Sequence, residues 1–227
     1  MSAGAKLVIF DVDGTLVDSQ ADILSAMGQA FMAAGRPVPD RSTILGIVGL
    51  SLETAMMRLV PDATAPECAR MVDAYKNAYV EMRAKVGAAQ SSPLYPGAQA
   101  ILEQLHSQPD VLLGVATGKS RRGLDKLIEA HALERFFVTQ QVADFHPSKP
   151  HPSMILEAMR ETGVTAADTV MIGDTSFDME MARAAGVGAL GVSWGYHPVS
   201  HLTAAHRILT DFAALPAAVS DMWEISG

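Results

Sequence analysis

Four acidic residues fall in two short stretches, Asp11-Val12-Asp13-Gly14-Thr15 and Gly173-Asp174-Thr175-Ser176-Phe177-Asp178. Each stretch follows a brief apolar run, 7–10 or 169–172, of the kind that forms a buried strand. Strand side chains alternate, so Asp11 and Asp13 leave the chain toward the same side, and Gly14 lets the backbone turn sharply beside them. Two carboxylates then share one small volume, a setting suited to catalysis; the competing reading is a pair of solvated turn aspartates. The second stretch could complete a magnesium site. Magnesium takes octahedral oxygen ligation, usually with one or two protein carboxylates, so Asp11 with Asp174 would suffice. Asp178 either supports those ligands from behind or caps the helix that ends before Gly186.

Two further segments carry groups able to hold phosphoryl oxygens. The apolar run 111–116 ends in Thr117-Gly118-Lys119-Ser120, where a hydroxyl and free backbone N–H groups at a helix start could meet an anion. Ser and Thr also stand at helix starts simply as caps. Ser148-Lys149-Pro150-His151-Pro152 fixes a lysine on a stiff segment, so its charge can be aimed at a phosphoryl group with little ordering cost. His146 and His151 flank Lys149, but nothing in the sequence aims them. Arg121 and Arg122 could meet a substrate carboxylate or simply be solvated.

Such groups need a scaffold that brings distant strand ends together. Besides 7–10, 111–116 and 169–172, strand-like runs occur at 189–193 and, more weakly, at 136–139. Between them apolar residues recur at helical spacing: Ala98, Ile101, Leu102 and Leu105; Leu124, Leu127 and Ile128; Ile155, Leu156 and Met159. Pro152 near one helix start, and Gly163 and Gly186 just past two helix ends, fit the usual asymmetry. The alternation predicts an α/β fold with helices on both faces of a parallel sheet. In open α/β sheets ligands bind beyond the carboxyl ends of the strands, where both acidic stretches lie.

The segment 21–86 breaks this rhythm, with helical patterns at 21–34, 52–59 and 67–85 and no strand between them. It reads as an inserted all-α lobe, dividing the chain into a core of 1–17 with 88–227 and a lobe of 18–87. Ser19 with Asp22 three residues on has the form of a capping box, and 87–96 reads as a polar return linker.

The formal charge of -8, from 25 acidic and 17 basic side chains, opposes attraction to nucleic acid or anionic membrane. A local cation and a few placed basic groups still admit a small anionic substrate. The single cysteine, Cys68, lacks CxxC or Cys/His spacing and reads as packing. The run 7–10 is too short for the apolar region of a signal peptide, and no stretch approaches the ~20 apolar residues that span a bilayer. The expected location is therefore cytoplasmic. The expected partner is a small phosphate-bearing molecule, with no nucleic acid and no membrane, for a monomer or homodimer.

Taken in order, DVDGTLVDS, ATGKS, SKPHP and GDTSFD resemble the motifs of the haloacid dehalogenase superfamily across nearly the whole chain, most of all its phosphoglycolate phosphatase-like members. The lobe after Asp18 resembles that superfamily's α-helical cap. The resemblance implies a Rossmann-like core and a Mg2+-dependent phosphatase acting on a small phosphorylated metabolite, a phosphoglycolate-like phosphomonoester, through an aspartyl-phosphate. It implies Asp11 as nucleophile and Asp13 as the acid that protonates the leaving alcohol and then takes a proton from water. Thr117 and Lys149 would bind phosphoryl oxygens, with Gly14 and Gly118 beside them. Magnesium would be held by Asp11, the Asp13 carbonyl and Asp174, with Asp178 behind. The loop Gly46-Ile47-Val48-Gly49-Leu50-Ser51 resembles the cap loop that faces the site, so Gly49, Leu50 and Ser51 are candidates for substrate choice; the other reading is a turn between helices. A cap over a core implies opening and closing, with hinges expected near 17–20 and 87–93.

Asp13 argues for phosphate rather than carbon–halogen chemistry, since dehalogenating members of the superfamily lack it. A pyrophosphatase or phosphosugar mutase of the same superfamily stays open. A P-loop-like nucleotide-binding protein fits poorly, because a Walker A loop needs four residues between its glycines and only three separate Gly114 from Gly118. A noncatalytic binding protein on the same fold is the other class. His197 and His201, with Pro198 between them, make a poor zinc pair.

Overall fold

A computed structural model describes residues 4–226. Six parallel strands, β1 Lys6–Phe10, β2 Val111–Thr117, β3 Phe137–Val142, β4 Thr169–Gly173, β5 Gly188–Val192 and β6 Arg207–Leu209, form one sheet in the order β3-β2-β1-β4-β5-β6. This is the Rossmann-like parallel sheet expected. Strand β1 lies at the centre, with Phe10 level with Val115 of β2 and Ile172 of β4. The strand order reverses between β1 and β4, the position at which such sheets open a crevice for ligand. Asp11 and Asp174 are the first residues beyond those two strands.

Between β1 and residue 97 the chain forms five helices, α1 Gln20–Ala33, α2 Arg41–Leu45, α3 Leu52–Leu59, α4 Ala65–Val86 and α5 Ala88–Ser91, and no strand. Ile23, Met27 and Phe31 of α1, Ile44 of α2, Met56 of α3 and Met71 of α4 close an apolar core of their own. Each such side chain is worth roughly 1.5–3 kcal/mol of burial, enough for an inserted all-α cap to hold its shape. Two chain segments join cap to sheet and pair with each other: Asp18 N donates to the Pro93 carbonyl and Tyr95 N to the Leu16 carbonyl, both at 2.9 Å.

The remaining helices cover the sheet. Helices α6 Ala98–His106, α7 Arg121–His131 and α10 Leu215–Ser226 pack with Val8 and Phe10 on one face, while α8 Ser153–Thr162 and α9 Ser176–Ala185 pack with Leu7 and Ile9 on the other. Successive residues of β1 thus serve opposite layers, as strand alternation requires.

Several local expectations change. The weak strand at 136–139 lies later, at Phe137–Val142, because Phe136 turns into the core under α6 and α7. The return linker carries one helical turn, α5. Ser19 does stand at the N-cap of α1, but at φ -99 and ψ 9 its backbone is not extended, so its hydroxyl does not cap the helix. That hydroxyl goes to Asp13, and Asp22 accepts from Ser91 Oγ at 2.5 Å, so the expected capping box is absent. Real side-chain caps occur at Thr64 of α4, Ser120 of α7 and Thr175 of α9.

Candidate active site

Buried Lys149 is the hub of the site. Its Nζ donates to Asp11 Oδ1 at 2.7 Å and to Asp178 Oδ1 at 2.6 Å, with all three side chains essentially sealed from solvent. Asp11, Asp174 and Asp178 each place a carboxylate oxygen within 4.8 Å of the others. Burial works against the charge of Lys149, but the facing carboxylates of Asp11 and Asp178 outweigh it and hold the ammonium above its ordinary range. For Asp11, burial wins over the attraction of Lys149 and pushes the carboxyl up to about 7. Asp174 is raised well above the usual carboxylate range by burial and then by the charges of Asp11 and Asp178. The Oδ2 atom of Asp11 is buried and has no hydrogen-bond partner.

Asp178 caps helix α9, one of the two readings the sequence offered, and also faces Lys149. It completes a capping box with Thr175, accepting from Thr175 N at 3.1 Å and Thr175 Oγ1 at 2.7 Å through Oδ2, while Oδ1 faces Lys149. The glycine before Asp174 is needed here: a Cβ on Gly173 would sit 2.4 Å from Asp178 Cγ.

Asp13 is held apart from this cluster by two partners, neither of them an expected site residue. Ser19 Oγ donates to its Oδ1 at 2.5 Å, and Lys119 Nζ lies 2.8 Å from its Oδ2. Burial pushes the Asp13 carboxyl up, but Lys119 and the Ser19 hydroxyl more than offset this and hold it below the usual range. Asp174 is aimed by Thr15 Oγ1 at 3.1 Å and by Tyr196 N at 2.7 Å. Gly14 and Gly195 press against it; at Gly14, with φ +86, a Cβ would fall 2.2 Å from Asp174 Oδ2. The loop after β5, which supplies Gly195 and Tyr196, carries no charged pair and so left no signal in the sequence. The Tyr196 hydroxyl also accepts from Ser19 N at 2.8 Å.

Thr117, the last residue of β2, is buried, and its Oγ1 accepts from Lys119 N at 3.2 Å. The cap loop predicted to face the site does so. The carbonyls of Gly49 and Leu50 abut Gly118, Gly49 packs on Thr175, and Ser51 N donates to Ser148 Oγ at 2.9 Å. Between cap and core lies a cavity of about 790 Å3, reached by Asp11, Asp13, Thr117, Gly118, Gly49 and Leu50. Arg122 borders it, whereas Arg121 turns to Asp125 and Gln140. His146 is engaged by Ser153 and Gln141, and His151 accepts from Ser153 N. Cys68 packs against the cap's apolar core, as expected.

The motifs that the sequence spreads from residue 11 to residue 178 thus meet beyond the carboxyl ends of the central strands. The haloacid dehalogenase-like hydrolase family model matches residues 8–192, and the chain belongs to that family. It is 38% identical over 208 residues to a protein named probable phosphatase IndB from Dickeya dadantii, covering 90% of this chain and 89% of that one. It is 30% identical over 203 residues to a phosphoglycolate phosphatase of Pseudomonas putida, covering 85% and 71%. A solved haloacid dehalogenase-like hydrolase from Streptococcus pneumoniae superposes with a TM-score of 0.80 at 26% identity, over 94% of this chain and 98% of that chain.

Proposed function

We propose that this chain is a magnesium-dependent phosphatase that moves the phosphoryl group of a small metabolite onto Asp11 and then onto water. Its family and its phosphatase relatives make it a phosphoric monoester hydrolase; the residue roles, the metal and the substrate are our reading. The observation that carries the roles is the buried, unpartnered Oδ2 of Asp11 beside a lysine that engages only Oδ1. That free oxygen is the atom available to attack phosphorus as the bond to the leaving oxygen breaks.

Asp13 stands ready for the proton transfers. Its ionised state, favoured by Lys119 and Ser19, suits the second half of the cycle, in which it takes a proton from the water that attacks the aspartyl-phosphate. In the first half it must give a proton to the leaving oxygen, which requires Lys119 to loosen as substrate enters. In this reading Thr117 and Lys149 meet the phosphoryl oxygens, an arrangement suited to the charge spread in transfer.

The all-oxygen donor set suits a hard divalent cation. Asp11 and Asp174, with the Asp13 carbonyl, would hold it; Asp178 already accepts two bonds at Oδ2 and one at Oδ1, which leaves it the supporting role. Magnesium, when bound, would neutralise phosphoryl charge. Residues 18–87 act as the lid, with the paired segments around Asp18 and Pro93 as its hinges. The relatives' names put 2-phosphoglycolate first among substrates to try.

The test is phosphate release from a panel of esters, with magnesium or with EDTA, beside Asp11→Asn. We expect magnesium-dependent release that the folded Asp11→Asn variant loses. Release that survives this substitution removes Asp11 as nucleophile, and isomerised ester without free phosphate indicates a mutase.

A further inference from the structure

Resting on the phosphatase reading, we infer that the preferred substrate is a phosphomonoester whose alcohol carries a planar ring, seated against Tyr79 and Arg83 of the cap, rather than a two-carbon acid. Size is the first argument. At the ~30 Å3 that a water-sized group occupies in the liquid, a cavity of about 790 Å3 accommodates roughly 26 non-hydrogen atoms. 2-Phosphoglycolate has about nine such atoms and would fill about a third of it by the same measure. A nucleoside 5′-phosphate, with about 21, fits with room for solvent.

The wall chemistry is the second argument. Tyr75 and Tyr79 stack on each other at 5.8 Å and 23°, and with Met27 and Val80 they give the cavity an apolar side on the cap. Buried polar groups on that side lack partners: the Tyr79 hydroxyl and the Nε of Arg83, whose side chain is only 10% exposed. Arg83 stacks over Tyr79 at 4.8 Å, its Nη2 reaches Ser92 Oγ at 3.2 Å, and Asp22 stands 4.0 Å from its Nε, too far for a hydrogen bond. That Nε can only donate and has Asp22 as an ion-pair neighbour but no hydrogen-bond acceptor, so an acceptor on the ligand would satisfy it.

Position is the third argument. Lys119 Nζ lies 2.8 Å from Asp13 and 5.4 Å from the centre of the Tyr79 ring. The aromatic wall therefore begins one side chain away from the group assigned to the leaving oxygen, where the body of the alcohol must lie. A planar ring there gains an aromatic contact and an Arg83 donor together.

The experiment compares adenosine and uridine 5′-phosphates with ribose 5-phosphate, which shares their leaving oxygen but lacks the base, and with 2-phosphoglycolate. Wild type, Tyr79→Ala, Tyr79→Phe and Arg83→Met are assayed for kcat/KM, with melting curves to confirm folding. Affinity of the same esters for Asp11→Asn, with and without Tyr79→Ala, is measured by calorimetry. We expect at least one nucleotide to exceed ribose 5-phosphate by about tenfold or more, from the usual strength of base stacking on an aromatic side chain. That preference should fall to within about threefold in Tyr79→Ala and persist in Tyr79→Phe, and Arg83→Met should reduce it. Preference for 2-phosphoglycolate, or a Tyr79→Ala loss shared equally by all esters, overturns the inference. If no ester is hydrolysed, the phosphatase reading fails, and the calorimetry alone decides whether the ring subsite exists: equal affinity for nucleotide and ribose 5-phosphate removes it.

Discussion

Gly118 of the core and Gly49 of the cap meet backbone to backbone: a Cβ added at 118 would lie 2.5 Å from the Gly49 carbonyl oxygen, and as close to that of Leu50. No side chain fits between them, so the cap loop can reach the carboxyl end of β2 only because residue 118 is glycine. Gly118→Ala should hold the loop away. We expect kcat/KM to fall about tenfold or more for every ester, amide exchange at 46–51 to quicken, and the melting temperature to move little, since the apolar cores of cap and sheet are untouched. Unchanged exchange and unchanged kcat/KM would show that closure does not depend on this contact.

The acids predict an unusual pH dependence of stability in EDTA. Asp11, ordinarily near 3.8, is pushed up to about 7 in the folded chain, chiefly by burial, and Asp174 is raised in the same sense. The folded state therefore binds protons more tightly than the unfolded state. Its advantage is fully present below about pH 4 and is lost as pH rises through about 7, with a slope of at most ~1.4 kcal/mol per pH unit for each proton. Asp13 is shifted the opposite way and acts only at lower pH. Thermal melts in EDTA should thus show stability falling from pH 5 to pH 8, less so in Asp11→Asn and less so with magnesium. A wild-type melting temperature that climbs over this interval would falsify the assignment.

Lys149→Met removes the one ammonium between Asp11 and Asp178. Leaving buried carboxylates without their partner costs about 3–5 kcal/mol in comparable cases, so the melting temperature at pH 8 should drop sharply and recover in part at pH 5, where the acids can take up protons. With the phosphoryl-binding role proposed for Lys149, its loss should lower kcat by about 100-fold or more. Lys149→Arg should rescue neither property, because the larger guanidinium has no room at a fully buried site. Normal turnover in either variant would relegate Lys149 to a structural role.

What could be read in the sequence follows from how local each cause is. Asp11, Asp13, Asp174 and Asp178 stand at strand ends within their own motifs, so alternation and strand position were enough to bring them into view. Lys119 and Ser19 were unreadable as partners of Asp13 because each also has an adequate local explanation, at a helix start and an N-cap. Only the folded cap reveals the choice. Strand β6 has three residues with only Leu209 buried, too few for a pattern, and α2 is five residues long. Tyr79 and Arg83 lie four apart on a helix whose polar and apolar residues are mixed, and nothing in the sequence distinguishes the turn that faces the cavity from the turns that face water.

Gly195 tests the part of the site that no motif announced. Its missing side chain lets the loop after β5 lie on Asp174, where Tyr196 N donates at 2.7 Å; a Cβ at 195 would be 2.1 Å from the Asp174 Cβ. Both atoms belong to constrained elements, so Gly195→Ala must displace Asp174, its hydrogen bond, or both. A misplacement of about 1 Å can cost 100-fold in rate, and we expect a loss of that order together with a higher magnesium concentration for half-maximal activity. The paired control is Gly28→Ala in the middle of α1, where the nearest atom is Val38 Cγ1 at 4.0 Å. There the better helix propensity of alanine should stabilise the cap by roughly 0.5–1 kcal/mol and leave the magnesium requirement alone. Equal magnesium requirements in Gly195→Ala and wild type would show that Asp174 does not depend on this loop for its aim.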